Sequence, residues 1–445
     1  MFSGHAHDYI SDLTMLISCH PIQMNDSEPR VTIVSAGQLS TCPRMVKVAD
    51  ALHAEGYRVR MVMNQRTDWA SQSDRLLEEE RSWLDAATID TRRSAGAGIF
   101  WPGAARYHIA GRITHTLGVA RASASLRRRA LLRSSEALLE ATMSKPTDFI
   151  YFGGGSYPIA REAARRMSVP YAIDFEDFHR GEHGTSAEGR FQSELTASVE
   201  AEAARDARFV SMGSPLISAC YEECLGVGGV VVHNVFPLPS EAPAFELPRG
   251  PLKLYWFSQT IGPGRGLEQA MRGCGAADIE TELHLRGRID GSYREGLASL
   301  ARQVAPKMKL TIHEPSPSAG MIDACRPFDI GLSLETGVNP NNRLVLSNKA
   351  FTYMLAGLTT IYSDTIAQRA FRDALGGRQP LYALDDTAAF ATILKTWDTD
   401  RASLLVAQQD AWQWAKRRWH WEHDDERGRV LKLFDEHLPK VARCA

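Results

Sequence analysis

The strongest constraint on this chain is one alternation of apolar strand, loop and helix, run twice, once on each side of a proline-rich break. VTIVSA (31–36) is apolar and β-branched almost throughout, which reads as a strand buried on both faces. GQLSTCPR follows, then a helical pattern from Pro43 to Glu55 that ends at Gly56, then the strand YRVRMVM (57–63). Pro43 suits a first helical position, because its missing N–H is unpaired there anyway. A less regular stretch, with a helical pattern near Ser73–Leu84, comes next. The alternation resumes with DFIYFGG (148–154), a helix over 156–167, PYAIDF (170–175), a helix over 194–206, ARFVSM (207–212) and VVVHN (230–234). FPLPSEAPAFELPRG (236–250) carries four prolines and little periodicity, as a linker does. Beyond it come LKLYWF (252–257), IETELHLRG (279–287), MKLTIHE (308–314) and DIGLSL (329–334). Strands joined by helical crossovers build parallel sheets. A chain of 445 residues exceeds one comfortable core. The expected organisation is an N-terminal extension (1–28), a first α/β domain (29–236), a linker (237–250), a second such domain (251–415) and a C-terminal segment (416–445).

Charge and cysteine usage exclude several classes. The net charge of −2 gives no global pull toward nucleic acid, and no recognition motif accompanies the local basic stretch. Seven scattered cysteines, with only Cys220 and Cys224 close together, fit reduced thiols in a cytoplasmic protein rather than a zinc site or disulfide framework. YISDLTMLISCH near the start is too short and too polar for a signal peptide or span. One segment departs from the average. From Thr91 to Ser135 there are nine arginines (92, 93, 106, 112, 121, 127, 128, 129, 133) and no acid, interleaved with Ile, Leu, Trp and Tyr. Such a segment suits an anionic membrane surface, at about 1 kcal/mol per Arg near the headgroups, or a phosphorylated acceptor.

Three loops each join a strand's carboxyl end to a helix start: Gly37–Arg44, Ser258–Gly266 and Glu335–Lys349. Free backbone N–H groups and the helix dipole make such places anion sites. Leu334–Asp364 is the most informative. A cation in a helix's first turn is disfavoured by the dipole, so Lys349, beside Asn348, suggests a bound anion. Arg265, after Gly264, adds a bidentate donor for a diphosphate. None of these loops is a Walker loop or a GxGxxG fingerprint with a ribose-binding acid, which disfavours a P-loop kinase and a Rossmann dehydrogenase. DFEDFHRGEH (174–183) crowds Asp174, Glu176, Asp177 and His179 at the end of a strand, where open α/β sheets bind ligands. These four are the candidates for a general base or for orienting an acceptor, and the residues alone do not choose among them.

The chain resembles bacterial glycosyltransferases of the GT-B fold, in the retaining group usually called family 4 or group 1. VTIVSAGQLSTCPRMVKVADALHAEGYRV, PYAIDFEDFH, VVVHNVFPL, FSQTIGPGRGLEQAM, SNKAFTYMLAGLTTIYSD and the terminal RRWHWEHDDERGRVLKLFDEHL carry the likeness, over about residues 30–435. The resemblance implies two Rossmann-like domains facing across a cleft, with the C-terminal helix crossing back to the first. It implies an enzyme of the hexosyltransferase type, moving a sugar from a nucleotide-diphosphate sugar to the hydroxyl of a glycan or lipid-linked acceptor. It also implies no metal and no other cofactor, retention at the sugar carbon, and a place in bacterial surface polysaccharide or glycolipid synthesis. The location expected is the cytoplasm, peripheral at the inner face of the plasma membrane. The donor would meet Gly37, Ser258, Gln259, Gly264, Arg265, Glu335, Asn348, Lys349 and Thr352.

Some positions depart from the family pattern. The family often has two glutamates eight residues apart, the second on the nucleotide ribose. Thr352 stands at the second position and Leu344 at the first. Ser258 and Gln259 replace a basic residue after the second domain's first strand. The missing glutamates motivate one alternative, a catalytically silent nucleotide-sugar binding protein, and count against another, a nucleotide-sugar epimerase, which needs paired acids around the sugar.

Overall fold

The computed structural model describes residues 28–95 and 97–438. The expected N-terminal extension lies almost wholly outside the described residues. Two parallel sheets form, each around one central strand. The first contains β1 (Arg30–Ser35), β2 (Arg58–Gln65), β3 (Asp85–Asp90), β4 (Phe149–Gly153), β5 (Tyr171–Phe175), β6 (Val210–Met212) and β7 (Val230–Val231). Their order is β3-β2-β1-β4-β5-β6-β7, every pair parallel. The second contains β8 (Leu252–Ile261), β9 (Thr281–Ile289), β10 (Met308–His313), β11 (Ile330–Ser333), β12 (Thr359–Ser363) and β13 (Leu381–Tyr382), in the order β10-β9-β8-β11-β12-β13. The strand order reverses between β1 and β4 in one sheet and between β8 and β11 in the other. Ligands bind in α/β sheets outside the carboxyl ends at such switch points.

The central strands are buried along their length, as helices on both faces require. One apolar core spans the two halves. Val232, Val235 and Phe236 pack with Leu346, Phe351 and Met354 of the second domain and with Trp412, Trp421 and Phe434 of the C-terminal segment. The helix Arg401–Arg417 ends, the chain bends through a π-turn at Asp424–Gly428, and a last helix, Arg429–His437, lies on the first domain. Phe434 sits edge-on to Phe149, Tyr151 and Phe209 at 5.4–5.6 Å between ring centres. Burying one such ring contributes about 2 kcal/mol. Buried Glu426 accepts hydrogen bonds from the His233 backbone N–H (2.6 Å) and the Arg418 guanidinium (2.7 Å), and its carboxylate lies 2.9 Å from His233 Nδ1. These contacts fix the crossing of the C-terminal segment to the first domain.

Three elements add to or differ from the sequence expectation. DAATID (85–90) forms the edge strand β3, although its small and acidic side chains carry little strand signal. The Arg-rich segment folds as a long helix, Ala97–Leu117, followed by a shorter one, Ala124–Leu131. The strand expected to end at Phe257 continues to Ile261 through an irregularity: its register with β9 breaks after Phe257 and resumes at Thr260↔Arg288. Gly287 permits this. It sits at φ +148, and a Cβ there would stand 2.3 Å from the Ser258 carbonyl oxygen.

Candidate functional site

The carboxyl ends of both sheets open onto one cleft of about 490 Å³ between the domains. Its first-domain wall starts in the loop after β1. Gln38 anchors that loop, donating to Asp74 Oδ2 (2.7 Å) and accepting from the Thr67 backbone and hydroxyl (2.7 and 2.6 Å). Ser40 is held on Asp74 Oδ1 (2.6 Å), so Ser40, Thr41 and Pro43 present a fixed rim to the cleft. Gly37 does not line the cleft. Its close approach is to Cys42, whose sulfur would lie 2.6 Å from an added Cβ.

The loop after β5 supplies the acids, and the structure separates the four candidates. Asp174 is fully buried and accepts two hydrogen bonds of 2.8 Å from Arg44, with a third from Ser211 (2.5 Å). Arg44 in turn donates to the Val232 carbonyl (2.5 Å), so this pair ties the first helix to the end of the sheet and stands outside the cleft. Glu176 and Asp177 line the cleft. Glu176 accepts from Asn234 Nδ2 (2.8 Å). Burial pushes its carboxyl up to about 7; Arg44 opposes the shift, and Asp177 and Asp174 add to it. Burial likewise raises Asp177, against His179. Gly213 lets the Glu176 backbone pass close by, since a Cβ there would meet its carbonyl at 2.2 Å. His179 stacks on Tyr157 and its Nδ1 lies 2.8 Å from Glu182, away from the cleft lining. Burial lowers its pKa, but Glu182, Asp177 and Glu200 outweigh that and lift it to about 9.

The second-domain wall is basic. Ser258, Gln259 and Thr260, exposed by the β8 irregularity, line it with Arg265, Arg286 and Ser347–Lys349. Arg265 rides a turn with Gly264 at φ +73 and Gly266 at φ +75. Arg286 is held by the Tyr255 hydroxyl (2.7 Å) and the Glu314 carbonyl (2.8 Å). The helix Asn348–Ala356 begins after Ser347, so Lys349 does stand in a first turn. It has two neighbours: Glu335 Oε1 at 3.4 Å and the Trp256 ring at 5.8 Å. Glu335 is therefore beside the donor-side lysine without lining the cleft itself. Thr352 is buried in the helix, its hydroxyl donating to the Asn348 carbonyl (2.9 Å), and does not reach the cleft.

A short segment of the second domain bridges the walls. Asn341 accepts from the Phe178 backbone N–H (2.9 Å) and donates to Asp177 Oδ1 (3.2 Å). Asn339 donates to the Glu182 carbonyl (3.0 Å), and Ser214 to the Leu344 carbonyl (3.0 Å). Across the rim, the Arg288 guanidinium lies 5.3 Å from the Trp69 ring. Sequence reasoning missed Arg286, Asn234, Asn341 and Trp69 as site residues. Arg286 and Asn234 each stand close to the end of a strand, a signal of the kind that singled out Glu176. Among the described residues no group of His, Cys, Asp or Glu is placed to hold a metal ion.

No protein-family model and no curated protein matches the sequence. Solved structures do match. Sucrose-phosphate synthase from Thermosynechococcus elongatus superposes with a TM-score of 0.65 at 14% identity, over 92% of this chain and 99% of that one. HepE from Anabaena, in complex with UDP and glucose, gives 0.60 at 13% identity, over 92% and 99%. TarM from S. aureus, in a complex that contains UDP, gives 0.61 at 8% identity, over 91% and 99%. The chain has the GT-B fold. In GT-B terms the acidic wall belongs to the N-terminal domain and the basic wall to the C-terminal domain.

Proposed function

We propose that this protein is a glycosyltransferase that moves a sugar from a nucleotide-diphosphate sugar to an acceptor hydroxyl. One observation carries the reading: a single cleft sets three cations, Arg265, Arg286 and Lys349, on one wall and two carboxyls, Glu176 and Asp177, on the other. The structural neighbours crystallised with UDP add support for the donor class. In the proposed step the acceptor oxygen bonds to the anomeric carbon. The bond from that carbon to the diphosphate oxygen breaks, and the diphosphate leaves with the electron pair. The basic wall stabilises the charge that develops on the leaving phosphate, where preorganised donors are worth most. That role replaces a metal, and the reading includes metal independence.

The family resemblance implies retention, in which the leaving phosphate takes the acceptor proton. Glu176 supports a second stereochemical reading. A carboxyl titrating near 7 on the acceptor wall is suited to general-base work at neutral pH, and one-step displacement with such a base inverts the sugar carbon. The anomeric configuration of the product, read by NMR, separates the two. The acceptor is proposed to be a glycan or lipid-linked glycan of surface polysaccharide or glycolipid synthesis, met in the cytoplasm at the inner face of the plasma membrane.

The first test is thermal shift against UDP, GDP, dTDP and CMP, followed by donor turnover with the stabilising nucleotide. Stabilisation by one of them, lost in Arg265→Ala, is expected. No stabilisation by any at millimolar concentration sinks the donor site. Tight binding without turnover of any donor would instead mark a silent binding protein.

A further inference from the structure

The Arg-rich segment presents less free charge and more apolar surface than its sequence suggests. Arg92 is bound to Asp68 and Asp90, Arg127 to Glu202, and Arg128 and Arg129 both to Glu136. Arg93 lies over Trp101 and Arg133 over Phe100. Among the described residues Arg106, Arg112 and Arg121 have no acidic partner, and all three are exposed. The helix Ala97–Leu117 buries Ala110 and Thr114 against its own domain and leaves Ile99 (47%), Trp101 (53%), Ile109 (58%), Ile113 (39%) and Leu117 (46%) in solvent. Half of the ten exposed large apolar side chains among the described residues are therefore on this one helix. Ile99, Arg106, Ile109, Ile113 and Leu117 follow helical spacing and form one stripe, with Trp101 and Arg112 along its edge.

From this juxtaposition we propose that the exposed face of the helix Ala97–Leu117 is a docking surface for an anionic lipid bilayer. Apolar side chains at helical spacing enter the headgroup boundary, Trp101 suits that boundary, and Arg106 and Arg112 meet anionic headgroups. Charge argues against a second copy as the occupant. A two-fold contact through this face would bring two sets of the same arginines together with no acid between Thr91 and Ser135 to offset them. Position agrees with a membrane-borne acceptor. The chain leading into the helix is fastened to the cleft rim, where Arg92 (2.5 Å) and Ser94 (3.2 Å) both donate to Asp68, next to Trp69. The proposal rests on the sugar-transfer reading only for that orientation; docking itself does not need it.

The test uses the full chain in flotation with vesicles of phosphatidylcholine alone or mixed with phosphatidylglycerol. Binding about tenfold stronger to the anionic vesicles is expected. Arg106→Glu with Arg112→Glu should remove that preference. Ile109→Ser with Ile113→Ser should weaken binding to both vesicle types about tenfold. All four side chains are exposed, so the variants should melt like the parent, and UDP stabilisation should be unchanged. Equal recovery on both vesicle types overturns the proposal, as does binding indifferent to both pairs of substitutions. A sedimenting dimer that the Ile substitutions dissociate also overturns it, in favour of a second copy. Vesicle binding that persists when no nucleotide stabilises the protein would refute the donor site and leave the docking surface standing.

Discussion

The two walls of the cleft differ in sign and in how they are held. The first-domain wall is acidic and braced from behind. Glu176 and Asp177 stand beside the buried Arg44–Asp174 pair, and Asn234, which donates to Glu176, follows His233, itself bound to Glu426 of the crossing segment. The second-domain wall is basic and less uniformly held, with Arg286 fixed on β9 by Tyr255 and Glu314. Arg265 is exposed on a turn with two left-handed glycines, and Lys349 begins a helix. The difference teaches a division of labour. A group that must exchange a proton gains from a fixed, desolvated setting that moves its pKa. Cations that receive a large anionic leaving group gain from reach. Substitutions at five positions test this division.

The largest effect is expected at Glu176. Glu176→Gln should lower kcat by about 10²–10⁴-fold while UDP still stabilises the protein. The parent's rate should rise as pH climbs through about 7, where Glu176 loses its proton, and the variant should lack that limb. Stability runs the other way. The folded carboxyl binds its proton more tightly than the unfolded one, so its contribution is present at low pH and falls as pH rises toward 7. The Gln variant should therefore gain stability relative to the parent at pH 8. A variant with full kcat removes Glu176 from the chemistry.

Next comes the neighbour two residues earlier. Asp174→Ala leaves the Arg44 guanidinium buried without its carboxylate, which costs about 3–5 kcal/mol. Chemical denaturation should show the loss directly, and an unchanged midpoint would contradict the bracing role. Asp174 and Glu176 thus separate by readout: stability for one, rate and pH profile for the other.

That separation marks the limit of what the sequence made legible. The parallel strands were readable because burial on both faces writes them as unbroken apolar runs. The loops after β1, β5, β8 and β11 were readable because polar and glycine residues interrupt those runs. What was not readable depends on partners far away in the chain. Asp174 looks like Glu176 until Arg44, 130 positions earlier, is seen to occupy it. Lys349 looked like a cation awaiting an anion, and Glu335 turned out to stand beside it. Thr352 stood where a ribose-binding acid was expected, and burial inside its helix removes it from the cleft. The extension of β8 that exposes Ser258 and Gln259 depends on a φ of +148 at Gly287, which no local pattern signals.

On the basic wall, Arg265→Ala should lower kcat/KM by about 10²–10³-fold, as removal of one preorganised donor to a developing anion does. Lys349→Ala should do less, because Glu335 already offsets part of its charge. Chelation of divalent cations with EDTA should leave the parent's rate unchanged. A rate restored by added magnesium would show that the basic wall does not suffice. Equal losses in the two variants would show that Glu335 leaves Lys349 when donor binds.

The smallest effect is expected where the two walls meet. Asn341 is on the donor-side domain, yet both ends of its amide hold the acid loop, through Phe178 N–H and Asp177 Oδ1. It acts through other groups, so it is a positioning residue. Asn341→Ala removes two hydrogen bonds of about 1 kcal/mol each, and roughly a tenfold fall in kcat should follow. UDP binding should stay as it was, since Asn341 touches no cation of the basic wall. Asn341→Asp should be worse than Ala at neutral pH. It places a second carboxylate beside Asp177 and should raise the pH at which the acid loop titrates. A purely structural role predicts a fall in melting temperature with kcat preserved. A positioning role predicts a fall in kcat beyond any change in melting temperature, with the pH profile displaced upward in the Ala variant and further in the Asp variant. The joint between the walls would then set the acceptor-side acid from the donor-side domain.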